Sequence, residues 1–303
     1  MVTTLGEISR ESAQRFGDKT ALIIEDKSFS YKEIDAMACR VANGLKASGV
    51  RPGDRVTLYS ANCWEWAVSY HAIAKTGAVI NPINVMLTSD EVKYVVEDSG
   101  AKAVLGSADK AESLLDLKGN NELTDVVLFG DTVPTGATSF EDWLQSGTDT
   151  FEVAVRNRED LAAICYTSGT TGHPKGAMHS HHNILANAQG TAMMHVRTES
   201  DVMVNSLPLP HVYGSVVFNS GFMYGAKLVI VPRFEEEAVM SAIQQHQATI
   251  LDGVPTAYYF LLAHPKFGDY DLSTLTRSTV GGQTLPAAKS IEWEERVGTA
   301  VLE

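Results

Sequence analysis

The chain has 303 residues, of which 44% are hydrophobic and 20% charged, with a formal net charge of −13. Its length allows one large or two modest domains, and its composition is that of a globular protein and not of a disordered one. The acidic surplus argues against nucleic-acid binding, which rests on Lys and Arg, but it leaves room for a local anion site built from backbone N–H groups and one lysine.

The N-terminus, M-V-T-T-L-G-E-I-S-R, has no basic stretch followed by an apolar one, so it does not read as a signal peptide. No apolar run reaches the length of a membrane span, which leaves only peripheral membrane association open. Cys39, Cys63 and Cys165 fit neither a metal site nor a disulfide framework. They read as reduced core thiols of a cytoplasmic protein.

In chain order, Ser30-Tyr31-Lys32-Glu33 reads as a capping box. Ile34, Met37, Ala38, Val41, Ala42 and Leu45 follow at helical spacing, with Gly49 as the stop. A strand is expected at 55–59, then a helix capped by Asn62 and running to Gly77, then a short strand at 78–80. Thr88 and Glu91 form a second capping box before Val92, Val95 and Val96, with Gly100 as the stop. Strands are expected at 102–105 and 125–129. The turn-rich stretch from about 130 to 158 reads as surface connection holding one helical turn at S-F-E-D-W-L.

Alternation then resumes. Strands are expected at 161–166, 227–231, 249–251 and 278–280, and helices at 180–192, 235–246, 255–263 and 286–297. Strands separated by helices imply right-handed βαβ units and parallel sheets. There are too many strands for one comfortable sheet, so the fold class is α/β with two αβα lobes and mainly parallel sheets. The expected division is 1–160 and 161–303, with segments free to exchange between lobes.

The densest chemistry lies in Y-T-S-G-T-T-G-H-P-K-G, residues 166–176. Gly169, Gly172 and Gly176 permit close backbone approach to a ligand. Thr167, Ser168, Thr170 and Thr171 offer hydroxyls, and Lys175 a mobile cation. Together they suit a polyphosphate. The stretch is not a Walker A loop, because a proline precedes the lysine and a glycine follows it.

T-S-G-T-T-G-H-P-K-G resembles the signature of the adenylate-forming enzymes: acyl-CoA synthetases, adenylation domains of peptide synthetases and beetle luciferases. The likeness spreads in order along nearly the whole chain. It includes F-S-Y-K-E-I-D (29–35), G-D-R-V (53–56), A-I-A-K-T-G-A-V-I-N-P-I-N (72–84), S-H-H-N (180–183), L-P-L-P-H-V-Y-G (207–214), G-V-P-T (253–256) and G-G-Q-T-L (281–285). The resemblance implies an AMP-forming carboxylate–CoA ligase that uses ATP, Mg²⁺ and coenzyme A. Such enzymes join a carboxylate to the α-phosphate of ATP, release pyrophosphate, and pass the acyl group to the thiol of coenzyme A.

By that resemblance, Thr167, Ser168, Gly169, Thr170, Thr171, Gly172 and Lys175 hold the β- and γ-phosphates. Gly281, Gly282 and Gln283 line the junction of acyl group and adenine. His211, Val212, Tyr213, Gly214, Val254 and Pro255 line the acid pocket, with Lys175 and His211 as the catalytic pair. On side-chain chemistry alone, His211 reads as a buried histidine bonded to a carbonyl. Gly281-Gly282 likewise reads as a strand-to-helix turn.

His179, His181 and His182 read as a solvated helix start and not as a metal cluster, since adjacent helical positions face different ways. Glu235, Glu236 and Glu237 read as a helix N-terminus favoured by the macrodipole. Tyr258, Tyr259 and Phe260 suit either core packing or an acyl tunnel.

The family's later motifs and small C-terminal domain are not in these 303 residues. The expectation is therefore a truncated piece, about three-fifths of such an enzyme, that binds ATP weakly and turns over negligibly alone. A fatty acid of medium or long chain is the first expected substrate, because no aspartate stands in 208–213 to grip an α-amine. An aryl acid of cinnamate or benzoate type, and a non-catalytic nucleotide-binding fragment, stay open. So does pairing of two copies.

Overall fold

The computed structural model describes residues 2–118, 122–130, 132–167 and 173–303. In chain order the first elements are α1 (Ile8–Phe16), β1 (Thr20–Ile24), β2 (Lys27–Ser30), α2 (Tyr31–Ala47), β3 (Arg55–Tyr59), α3 (Trp64–Lys75), β4 (Val79–Pro82) and α4 (Ser89–Ser99). There follow β5 (Ala101–Ser107), α5 (Ala111–Leu115), β6 (Asp125–Phe129), β7 (Thr138–Ser139), α6 (Phe140–Ser146), β8 (Leu161–Thr167), β9 (Lys175–Ser180) and α7 (His181–Met194). The rest are β10 (Val202–Asn205), α8 (Val212–Met223), β11 (Lys227–Ile230), α9 (Glu236–His246), β12 (Ile250–Gly253), α10 (Pro255–Ala263), β13 (Arg277–Val280), α11 (Ala287–Val297) and β14 (Val301–Leu302).

The chain forms two compact units. The first holds Met1–Asp18 and Tyr31–Ala186, the second Lys19–Ser30 and Asn187–Glu303. The boundary expected at 160/161 falls inside the first unit. The reason is strand pairing: β8 joins β4 in parallel and β9 folds back on β8, so both complete the first sheet. Conversely, β1 pairs in parallel with β11, which carries the β1–β2 hairpin into the second sheet.

The first unit's sheet runs β7-β6-β5-β3-β4-β8-β9 and is parallel except for β9. Its inner strands are buried over most of their length, as in β6, where Val126 to Phe129 are all buried, because helices cover parallel sheets. Val92, Val95 and Val96 of α4 pack on Val104, Val126 and Leu128. The α4 start is the expected capping box: the Thr88 N–H donates to Glu91 Oε2 at 2.8 Å, and Gly100 ends the helix with φ +60°. α3 departs from expectation. It starts two residues after Asn62, so Cys63 is its cap and the thiol sulfur accepts from Trp66 N–H at 3.3 Å. The S-F-E-D-W-L turn extends to the seven-residue α6, capped by Ser139.

The second unit's sheet runs β14-β13-β12-β10-β11-β1-β2 and is parallel except for β2. Val239, Met240 and Ile243 of α9, Leu261 and Leu262 of α10, and Trp293 of α11 share one core with Val204, Leu251 and Val280 of the strands. Two mainly parallel sheets with flanking helices are the expected fold class. Among the described residues, no helix is long and apolar enough to cross a membrane.

Candidate active site

In the first unit, β8 and β9, which flank the glycine-rich stretch, pair antiparallel. Thr167 is the last residue of β8, Lys175 the first of β9, and the two are cross-strand partners. Lys175 is thus a strand residue, exposed, and not part of a free loop. Ser168, Gly169, Thr170, Thr171 and Gly172 lie outside the described residues. Helix α4 contacts the described residues on either side of that stretch. The Tyr166 hydroxyl donates to Asp98 Oδ2 at 2.6 Å, and His173 stacks on Tyr94 with ring centroids 4.4 Å apart. Burial first, then the Asp98 carboxylate, raises the Tyr166 phenol above its ordinary range, so it stays a donor.

In the second unit, a cavity of about 320 Å³ opens where β10, β12 and their following helices meet. Its walls include Leu207, Pro208, Phe234, Val254 and Phe260, and its polar groups are Ser206, His211, Tyr213 and Thr256. His211 is not buried. It caps α8: Nδ1 accepts the Tyr213 N–H at 3.2 Å, leaving the rest of the ring exposed at the cavity. Tyr213 is half-buried and donates or accepts at Thr279 Oγ1, 3.2 Å away. Burial first, then the Asp252 charge, pushes its phenol up to about 12.

Of the expected pocket residues, His211, Tyr213 and Val254 line the cavity. Val212, Gly214 and Pro255 do not. Val212 is 46% exposed. Gly214 is buried in the first turn of α8, where a Cβ would stand 2.1 Å from the Pro208 carbonyl oxygen. Pro255 starts α10, where it needs no N–H partner.

Gly281, Gly282 and Gln283 follow β13. Gly281 N–H donates to the Gly253 carbonyl at 3.1 Å, and a Cβ there would meet Tyr213 Cζ at 2.8 Å. Gly282 has φ +86°, so the strand-to-helix turn is also real.

Phe234 is a lining residue that no motif marks, and it stands with its ring centroid 6.3 Å from that of Phe260, the member of the 258–260 run that does line the cavity. The Tyr258-Tyr259-Phe260 run divides by helical phase. Tyr258 is fully buried and donates to the Thr279 carbonyl at 2.7 Å, whereas Phe260 is 51% exposed at the cavity. The available signal was the spacing Thr256, Ala257, Phe260, one face of α10.

His181 corrects another expectation. It is 2% exposed, and its Nδ1 accepts the Leu5 N–H at 3.1 Å. Burial first, then Arg156, lowers its pKa to about 4. Among the described residues, no group of three His, Cys, Asp or Glu side chains comes together to hold a metal.

The chain belongs to the AMP-binding enzyme family, which it matches over residues 9–303. It is 28% identical over 329 residues to a long-chain-fatty-acid–CoA ligase of Bacillus subtilis, covering 99% of this chain and 59% of that protein. Among solved structures it resembles the anthranilate CoA ligase AuaEII in complex with anthranoyl-AMP, with a TM-score of 0.93 and 30% identity over 98% of this chain and 58% of that one. It also resembles ATP-bound MatB of Rhodopseudomonas palustris, with a TM-score of 0.88 and 31% identity over 99% of this chain and 59% of that one. The chain thus spans a little under three-fifths of the length of each of these proteins.

Proposed function

We propose that this chain is the acid- and nucleotide-binding part of an AMP-forming acid–CoA ligase that activates an apolar acid of the fatty class. The observation that carries the reading is the cavity: apolar walls, no carboxylate or ammonium among its lining groups, and one exposed imidazole held at its side. Such walls favour a hydrocarbon and give an α-ammonium no counter-charge.

The reaction brings two anions together. The acid's carboxylate oxygen attacks the α-phosphorus of ATP and pyrophosphate leaves; the thiol of coenzyme A then attacks the acyl carbon of the mixed anhydride and AMP leaves. Charge must be masked for the first step. Lys175 supplies a cation at the phosphates, beside Thr167 across the hairpin. The hydroxyl and glycine positions Ser168 to Gly172 supply donors there. His211, capping α8 through Nδ1, presents its Nε2 side to the acid's carboxylate. Gly281, Gly282 and Gln283 take the flat adenine and the start of the acyl group. Mg²⁺ would enter with ATP, liganded mostly by phosphate oxygens and waters, and no step is routed through a metal held by this chain.

A second reading, an aryl acid, is favoured by one specific feature. Tyr213, Phe234 and Phe260 place three rings around a cavity of about 320 Å³. ATP–pyrophosphate exchange separates the readings when acids of C6 to C16 are compared with benzoate, anthranilate and cinnamate, on this chain and on a version extended through the family's C-terminal domain. The fatty reading expects the highest exchange with the aliphatic acids. Preference for aryl acids selects the second reading, and preference for amino acids rejects both.

A further inference from the structure

Next to the cavity lies an ion pair with no exposure to water. Arg197 and Asp252 side chains are each 0% exposed, with Nη2 and Oδ1 2.5 Å apart. Burying such a pair is a poor way to gain stability, since apolar side chains of similar size do as well or better. This pair is not even saturated. Asp252 Oδ2 and Arg197 Nε have no hydrogen-bond partner among the described residues. Reaching the core also needs unusual backbone, because the residue before Arg197 is Val196, at φ +50°. A β-branched residue there is strained, and such strain is held in place by its surroundings. Arg277 Nη1 does so by donating to the carbonyls of His195 and Val196, at 2.8 and 2.6 Å.

The pair is wired to the cavity wall. Asp252 pairs with Asn205 on one side and Thr279 on the other, so the three form a row near the C-terminal ends of β10, β12 and β13. The Thr279 hydroxyl donates to Asp252 Oδ1 at 2.6 Å. An ionised carboxylate only accepts, and threonine has one hydroxyl hydrogen. Thr279 Oγ1 can therefore only accept from Tyr213, 3.2 Å away. Every donor in the series points inward, from Tyr213 to Thr279 to Asp252, with Arg197 behind. Across the ring of Tyr213 stands Gly281, with no room for a Cβ.

We propose that Arg197 and Asp252, acting through Thr279, are positioning residues that hold the Tyr213 ring as a wall of the acid pocket and commit its hydroxyl hydrogen inward. Burial and the nearby Asp252 charge keep the phenol protonated, so it has a hydrogen to commit. Toward the cavity Tyr213 then offers ring and no hydrogen to donate, which suits an acid whose chain is unsubstituted hydrocarbon. This inference rests on reading the cavity as the acid site, and the test separates the two.

The 303-residue chain is labelled with tyrosine carrying ¹³C at Cζ, and the Tyr213 resonance is assigned from Tyr213→Phe. Thr279→Val removes the relaying hydroxyl at nearly constant shape, and Thr279→Ser restores it. The expected result is a shifted Tyr213 Cζ resonance and about tenfold faster hydroxyl exchange in Thr279→Val, with Thr279→Ser like the parent. An unchanged resonance and exchange rate in Thr279→Val overturn the relay. The same variants are titrated with decanoyl sulfamoyl-adenosine, a stable mimic of an acyl adenylate. Thr279→Val and Tyr213→Phe are each expected to weaken binding about tenfold, and the double variant no further, because both remove one coupled unit. Additive losses, or unchanged affinity in Thr279→Val, overturn the positioning role. Failure of both the parent chain and a version extended through the family's C-terminal domain to bind the mimic, with the resonance shift as expected, overturns the acid-site reading and leaves the relay standing.

Discussion

A histidine can serve as a pH sensor, a ligand or a piece of core, and its position in the chain does not say which. His211 and His181 show the difference. The P-H-V-Y-G context marked His211 as a site residue, and the structure places it exposed at an apolar cavity as a helix cap. Nothing in S-H-H-N marked His181 as buried, because its partner is the backbone N–H of Leu5, 176 residues away. Phe234 went unseen for a related reason: a pocket wall assembled from distant segments has no local pattern. The burial of His181 has a consequence for stability. Its folded pKa is about 4, against an ordinary value of about 6.5 in an unfolded chain. Between those values the unfolded state takes up a proton that the folded state refuses, so stability falls as pH drops from about 6.5 to about 4. His181→Asn keeps an acceptor for Leu5 and removes the titration. Thermal unfolding midpoints measured over that window should fall less steeply in the variant than in the parent. Some slope will remain, since His71, whose pKa burial lowers to about 3, acts in the same sense.

At the scale of elements, legibility followed local signals. The capping box at Thr88 and Glu91 and the stop at Gly100 are carried by adjacent residues, and α4 is where they place it. Helix α8 was missed because V-Y-G-S-V-V-F-N-S-G-F-M has two glycines and three valines, poor helix formers, and no polar face. Burial on nearly all sides forms that helix, which is a tertiary effect. Strand β10 was missed because four residues carry little pattern, and the β1–β2 hairpin because its turn, Glu25-Asp26, has no glycine although Glu25 takes φ +53°. The end of α7 was also illegible. Helices commonly stop on a glycine at positive φ, yet here Val196 holds φ +50°, with Arg197 N–H donating to the Ala192 carbonyl at 2.8 Å. Left-handed geometry costs an L-residue about 1–2 kcal/mol, and glycine's extra chain entropy returns about 0.5–1 kcal/mol of that. Val196 is 66% exposed, so removing its side chain loses little burial. Val196→Gly should therefore stabilise the protein by about 0.5–1 kcal/mol, read as a higher urea midpoint at unchanged m-value. A lower midpoint would mean that the valine side chain contributes more than the strain costs.

The whole molecule is divided along lines that chain order hides. A division at 160/161 falls just before the strand that leads into the glycine-rich stretch, but sheets are closed by pairing, and twelve residues near the N-terminus, Lys19–Ser30, belong to the unit that otherwise begins at Asn187. The hairpin is held there by β1, whose Leu22, Ile23 and Ile24 pair with Leu228, Val229 and Ile230 of β11. Leu22 is 1% exposed. Truncating such a leucine to alanine costs about 2–5 kcal/mol through lost transfer energy and the cavity left behind. That loss belongs to the second unit although residue 22 is preceded and followed by first-unit chain. The tryptophans can report it. Trp293 is fully buried in the second unit and donates to Ser278 Oγ at 3.0 Å, whereas Trp64, Trp66 and Trp143 belong to the first. With 5-fluorotryptophan incorporated, ¹⁹F spectra across a urea series give each site its own transition. Leu22→Ala should lower the midpoint seen at Trp293 and leave that at Trp66 close to the parent's. An equal fall at both sites would show that the units unfold as one, so that an element's place in the sheet decides its contribution but not where its loss is felt.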